Sequence, residues 1–365
     1  MIYLDNSATS FPKPEPVRQA VQKAFRQCAN PGRGGYEAAV HADKIVYRCR
    51  EKAAEFFDCL PEQVVFTSNC THGLNMALGT LVKPGSRVVI SGFEHNAVTR
   101  PLHALEANIT VAGRRLFSWE DTLECFQKAL QQGADAVVFT HVSNVFGYVL
   151  PVEEMSRMCR EKGVPFVVDA AQSAGVLPVH LEELGADFIA MPGHKGLLGP
   201  QGTGILLCRE DVNPIIHGGT GSASVQQTMP QELPDRGEAG TLNVPGIAGL
   251  LAGMEYVQKL GMEKIHNRER ELAKRCAKEL RKRGFRVFSG ENQSGVVSFV
   301  GNEDCEKIAQ RLSRYGVAVR AGLHCAPLAH ESAHTLKTGT VRISFGYGSS
   351  NKQLEVLLPA LGMNS

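Results

Sequence analysis

From residue 63 to residue 208 the chain repeats one unit: a short apolar run, a turn, then a stretch with helical spacing. The apolar runs are Gln63–Thr67, Arg87–Ser91, Ala136–Thr140, Pro165–Asp169, Phe188–Met191 and Gly204–Cys208. Helical patterns lie between them, as at Thr71–Leu81, Trp119–Gln132 and Pro151–Lys162, and turns such as Lys83-Pro84-Gly85 and Lys162-Gly163-Val164-Pro165 carry Gly or Pro. Parallel strands need a crossover, and a helix is the usual one, so the alternation predicts an α/β fold on a parallel sheet. It also predicts where a ligand sits, in the crevice outside the carboxyl ends of the strands.

With 365 residues the chain is long enough for more than one core. After about Pro245 the pattern changes to two long helices, Ile247–Leu260 and Glu263–Arg283, joined near Gly261. Strands near Arg286–Phe288 and Gly295–Val300, a helix at Cys305–Tyr315, strands at Val317–Arg320 and Thr340–Phe345, and a helix at Lys352–Leu361 follow. We read residues 13–245 as a large ligand-binding domain and 246–365 as a smaller C-terminal α/β domain, with residues 1–12 packing near it.

Composition excludes several partner classes. Lys and Arg number 39 against 37 Asp and Glu, a net charge of +2 that gives no drive toward nucleic acid or an anionic membrane. The basic stretch Lys274–Arg286 reads as the solvated face of an amphipathic helix, with Leu272, Cys276 and Leu280 turned inward. Met1–Asn6 lacks the basic flank and apolar core of a signal peptide, and no run approaches the roughly 20 apolar residues of a membrane span. A soluble, cytoplasmic protein is expected. The ten cysteines contain no Cys-x-x-Cys pair and mostly occupy apolar or helical settings, so they read as reduced, with Cys325 set apart.

The residues that carry chemistry cluster at the predicted strand ends. Asp169, in Val167-Val168-Asp169-Ala170-Ala171-Gln172, is followed 26 positions later by Lys195, in Pro192-Gly193-His194-Lys195-Gly196. A carboxylate at that edge can pair with a protonated ring nitrogen, and a lysine there can form an imine to an aldehyde and shuttle protons. Thr67-Ser68-Asn69-Cys70-Thr71-His72-Gly73 joins a strand to a helix and predicts capping and an anion site at the helix start. His95 follows the strand Arg87–Ser91, where an imidazole can stack on a flat ring and move protons. Asn144 follows Ala136–Thr140 and is a donor candidate for cofactor or substrate.

These motifs resemble the cysteine desulfurase branch of the class V aminotransferases, fold-type I pyridoxal-phosphate enzymes, from end to end. The resemblance includes Tyr3-Leu4-Asp5-Asn6-Ser7-Ala8-Thr9, Glu238-Ala239-Gly240-Thr241-Leu242-Asn243 and, most specifically, Val319-Arg320-Ala321-Gly322-Leu323-His324-Cys325-Ala326. The compact stretch from Cys325 to Arg342 is similar to the group II, SufS-like and selenocysteine-lyase-like members. The resemblance implies a mainly parallel seven-stranded sheet in the large domain and pyridoxal 5'-phosphate as cofactor. It implies Lys195 as the Schiff-base residue, Asp169 as the ring-nitrogen partner, Gln172 on the ring hydroxyl and His95 stacked on the ring. Cys70, Thr71 and His194 fall at the cofactor and its phosphate, Thr241 at the phosphate of the neighbouring subunit in a homodimer. Arg342, Arg320, Asn144 and Ala8 fall at the substrate, and Arg342 matches the arginine that grips its carboxylate. Three positions depart from the pattern: Pro192 replaces a small hydroxyl, His72 an acid and Tyr36 a histidine.

The implied reaction takes L-cysteine to alanine, with Lys195 removing the α-proton and Cys325 taking the sulfur as a persulfide. His324 and Arg320 are expected to favour the Cys325 thiolate. Delivery would be to a sulfur-acceptor protein, as in iron–sulfur cluster assembly. L-selenocysteine as substrate, another β-eliminating lyase or aminotransferase, and a non-catalytic sulfur-delivery scaffold are the alternatives. His324, Cys325, His330 and His334 match no common zinc spacing, and no metal is expected.

Overall fold

The computed structural model describes residues 1–32 and 34–363. Its strands are β1 (Ile2–Tyr3), β2 (Val64–Thr67), β3 (Arg87–Ser91), β4 (Asn108–Ala112), β5 (Ala136–Thr140), β6 (Phe166–Asp169), β7 (Phe188–Pro192), β8 (Gly204–Cys208), β9 (Arg286–Phe288), β10 (Val296–Val300), β11 (Val317–Ala318), β12 (Arg320–Gly322) and β13 (Thr340–Ser344). Its helices are α1 (Glu15–Gln27), α2 (Glu37–Phe57), α3 (Cys70–Leu81), α4 (Asn96–Ala104), α5 (Trp119–Gln131), α6 (Val152–Lys162), α7 (Leu181–Leu184), α8 (Val244–Leu260), α9 (Met262–Lys282), α10 (Cys305–Arg314), α11 (Pro327–Ser332) and α12 (Asn351–Leu361).

Seven strands form the main sheet in the order β2-β8-β7-β6-β5-β3-β4. All run parallel except β8, which is antiparallel to both β2 and β7. The strands β5, β6, β7 and β8 are buried along their whole length, as expected where helices cover both faces, and this is why they read as unbroken apolar runs. Edge strand β4 alternates exposed and part-buried residues, which hid it from a search for apolar runs. Local chemistry starts and stops the crossover helices. Asn69 caps α3 by accepting the His72 N–H, Ser118 caps α5 by accepting the Asp121 N–H, and Gly163 ends α6 in the left-handed conformation.

A second, antiparallel sheet has the order β12-β13-β10-β9 and a core of its own with Leu272, Cys276, Leu280, Val297, Phe299, Ile308 and Leu357. Leu4 belongs to that core, and β1 pairs with β11. The expected strand Val317–Arg320 is therefore two: β11 runs beside β1, and β12 turns away to join β13. Helix α8 packs on α1 and α2 and contributes Val244, Ile247 and Leu250 to the core under the main sheet. Between the two sheets the N-terminal segment acts as a strap. Ser344 N donates to Leu4 O at 2.8 Å, and Ser10 N donates to His194 O at 3.1 Å.

Candidate active site

A cavity of about 250 Å3 opens at the carboxyl edge of the main sheet, closed on its far side by β12, β13 and the N-terminal strap. Every expected site residue except Thr241 lines it: Ala8, Cys70, Thr71, His95, Asn144, Asp169, Gln172, His194, Lys195, Arg320, Cys325 and Arg342. Thr241 lines two other cavities, alongside Glu238, and is not brought to the site within one chain.

Strand β6 ends on Asp169, whose Oδ1 accepts the Ala171 N–H at 2.9 Å and the Cys70 thiol at 3.5 Å. Lys195 follows β7, and burial lowers its pKa while Asp169, through space, raises it again. The loop that carries Lys195 is held by a close approach of backbone. Gly175 has φ +83°, and a Cβ there would lie 2.5 Å from the Gly196 carbonyl. Cys70 and Thr71 form the first turn of α3, so that helix points its positive end at the cavity. His95 caps α4, its Nδ1 accepting the Ala97 N–H at 3.0 Å, which leaves the proton of the neutral ring on Nε2. Burial lowers the His95 pKa, and it pushes His194 down to about 4. The His194 ring is 3.1 Å from Thr9 Oγ1, and its carbonyl accepts Lys13 Nζ at 2.7 Å. Gln172 Nε2 donates to Ser7 O at 3.0 Å.

On the opposite wall, Arg342 is 2% exposed and crosses the sheet from Arg320, its partner in the β12–β13 register. Arg342 Nη1 donates to the Asn144 carbonyl at 2.9 Å and Nη2 to Asp5 at 2.7 Å, while the buried Nε has no protein partner. Asn144 is committed as well, since its Nδ2 donates to His324 O at 2.8 Å. Cys325 is the only exposed cysteine among the described residues, and all ten are free thiols. One expectation is corrected here. His324 does not lend positive charge to Cys325, because burial and the neighbouring Arg342 push its pKa down to about 2. Its ring is locked against β13 instead, with Nε2 3.2 Å from Thr340 O.

Two contributors carried no sequence expectation of a role. Asp5 lies in the quoted N-terminal motif, and an acid there was the available signal. Glu94, next to His95, is fully buried, accepts the Thr140 N–H at 2.9 Å and has its pKa pushed up to about 8 by burial. Nothing local in the sequence marks that. Of the departures, Pro192 lines the cavity without a hydroxyl to offer, His72 lines a neighbouring cavity, and Tyr36 is exposed. Among the described residues no three His, Cys, Asp or Glu side chains are grouped to hold a metal ion, and no helix is long and apolar enough to cross a membrane.

The family model for class-V aminotransferases matches residues 2–357. The chain belongs to that family. A probable cysteine desulfurase of Pyrococcus abyssi is 35% identical over 99% of this chain and 93% of its own length. The apo structure of a cysteine desulfurase from Thermococcus onnurineus is 33% identical and superposes with a TM-score of 0.91, covering 99% of this chain and 93% of that one. The Escherichia coli cysteine desulfurase CsdA, 27% identical, gives a TM-score of 0.88 over 98% of this chain and 93% of its own. The expected fold-type I architecture holds in this class-V chain, with β8 as the one reversed strand of the main sheet. The donor set fits the phosphorylated ring aldehyde that such a fold serves. A part-buried lysine faces a carboxylate with one oxygen held by two donors, and a helix N-terminus and a neutral histidine stand beside them.

Proposed function

We propose that the chain is a pyridoxal-phosphate-dependent cysteine desulfurase that moves sulfur from L-cysteine to Cys325 and releases L-alanine. One observation carries this reading: the sole exposed thiol among the described residues shares a single cavity with Lys195, Asp169 and the buried Arg342. The names of the relatives favour L-cysteine over L-selenocysteine.

Lys195 would hold the cofactor, with Asp169 at its ring nitrogen, Gln172 at its ring hydroxyl, His95 on its face, Cys70 beside it, and Thr71 and His194 at its phosphate. Bound there, pyridoxal 5'-phosphate supplies an electron-poor ring that stabilises negative charge at the substrate's α-carbon. The chain's own groups do the rest. Arg342 grips the substrate carboxylate, with Arg320, Asn144 and Ala8 around the amino acid. The Lys195 amine, its basicity lowered by burial, takes the α-proton. His95 holds a proton at Nε2, available to the carbon that the sulfur leaves. Cys325 Sγ then bonds to the substrate sulfur as the carbon–sulfur bond breaks. The electron pair stays with carbon, which takes a proton, so a thiol and cysteine become a persulfide and alanine.

The same reading makes the protein a cytoplasmic homodimer in which Thr241 reaches the neighbouring subunit's phosphate, serving a sulfur-acceptor protein in iron–sulfur or other thio-cofactor assembly. It keeps a large cofactor domain (13–245) and a small C-terminal domain (246–365), with residues 1–12 packing near the latter. The separate core around Leu272 and Phe299 supports a division into two units, and helix α8 of the second packs on α1 and α2 of the first.

Mass spectrometry of Cys325 after incubation with L-cysteine, with alanine measured alongside, tests the proposal. A mass gain of one sulfur on Cys325 and matching alanine are expected, and Cys325→Ser keeps the cofactor's visible band but forms no persulfide. Full sulfur transfer by the serine variant, or no cofactor fixed to Lys195 by borohydride, overturns it.

A further inference from the structure

The residue before the acceptor cysteine is unusual in three respects at once. His324 and Cys325 are consecutive non-glycine residues in the left-handed region, with φ +50° and +57°. A side chain disfavours that conformation, and two in a row persist only where surrounding contacts hold them. Those contacts are present. Asn144 Nδ2 donates to His324 O and Asn96 N donates to Cys325 O, each at 2.8 Å, so the carbonyls of the turn are tied to the loop after β5 and to the start of α4 at the edge of the main sheet. Finally, the His324 ring is buried, with Nε2 3.2 Å from Thr340 O and 3.1 Å from Thr340 Oγ1. A carbonyl can only accept, so Nε2 carries the ring proton, and Nδ1 is left bare and without a partner.

We infer that His324 is a positioning residue for sulfur transfer: its Nε2–H, given to Thr340 on β13, holds the Cys325 turn in its left-handed form and so presents the thiol at the cavity. The inference rests on Cys325 being the sulfur acceptor. It assigns His324 no charge and no proton transfer. The imidazole is a strut between β13 and a turn whose carbonyls are fixed from the other side. Releasing the strut lets the turn relax to an ordinary conformation, and misplacement of a reacting atom by about 1 Å can cost on the order of 100-fold in rate.

Two variants separate the donor from the bulk: His324→Leu fills the space without an N–H, and His324→Gln restores an N–H at similar reach. In the holoenzyme three quantities are read: the single-turnover rate of persulfide formation on Cys325, the rate of Cys325 alkylation by iodoacetamide, and the change in the visible band on adding L-alanine. For His324→Leu the persulfide rate is expected to fall on the order of 10- to 100-fold and the alkylation rate to change, with the L-alanine response as in wild type. For His324→Gln both rates return to within about threefold of wild type. Wild-type rates in His324→Leu overturn the inference, as does an equal loss in both variants, or loss of the visible band, since its effect is confined to the turn. If wild type itself forms no persulfide, the desulfurase reading fails, and the alkylation rates still report on the strut.

Discussion

At Arg342 a nearly buried guanidinium has one nitrogen on the Asn144 carbonyl, another on Asp5, and a buried Nε without a protein partner. In the proposed reaction the guanidinium meets the substrate carboxylate where it lines the cavity, and a lysine cannot reproduce a planar fork held at two points. Arg342→Lys should therefore raise KM for L-cysteine by roughly 30-fold, the worth of one charge-assisted hydrogen bond of about 2 kcal/mol, with a smaller effect on kcat. Steady-state kinetics would read this, and an unchanged KM would remove Arg342 from the carboxylate site. Lys195, Asp169, His95 and Cys325 were legible in the sequence because each follows an apolar run or lies in a distinctive short motif. The commitments between side chains were not. Asp5 and Arg342 are separated by 337 positions, and Asn144 and His324 by 180, so no local pattern pairs them. The neutral state of His324 was misread for the same reason, since burial comes from distant chain.

The elements that build the site are held by specific local contacts. Asn69→Ala removes the side-chain cap on the His72 N–H at the head of α3 and should cost about 1 kcal/mol of stability. The same variant should weaken cofactor binding, read as a higher dissociation constant in the visible band, because the helix start would fray at the cavity. Gly175→Ala is harsher. Its positive φ and the clash with the Gly196 carbonyl should together cost at least about 1–2 kcal/mol and displace the Lys195 loop. Loss of melting temperature together with loss of borohydride-fixed cofactor would show it, and a variant with wild-type values in both would refute the close-approach argument. Sequence periodicity located β3, β5 and β8 to the residue, because strands buried along all or nearly all of their length read as apolar runs. It passed over β4, half-exposed at the edge, and could not see that Val317–Arg320 divides between two sheets, a matter of pairing partners.

Across the whole molecule, the strap and α9 meet the main sheet's ligand edge around a second cavity of about 50 Å3, which Glu269, Ser294 and Lys195 all line. Burial pushes the Glu269 pKa from 4.5 up to about 8. The folded chain thus keeps a proton there that the unfolded chain loses first. That contribution to stability is complete below about pH 4.5 and is lost as pH rises through about 8. Glu269→Gln, neutral at every pH, should gain in melting temperature relative to wild type by a few degrees between about pH 5 and about pH 9. A difference independent of pH would mean that Glu269 is ionised or solvated in the folded chain. The sequence by itself determined the alternation of buried strands and helices, the ligand edge and the residues emerging there, because apolar periodicity and strand-end position are local properties. Only the tertiary structure decided which strand runs backwards, which arginine nitrogen stays free, and that the histidine beside Cys325 is a buried neutral strut. Those outcomes depend on burial and on partners supplied from far along the chain, and a one-dimensional pattern carries neither.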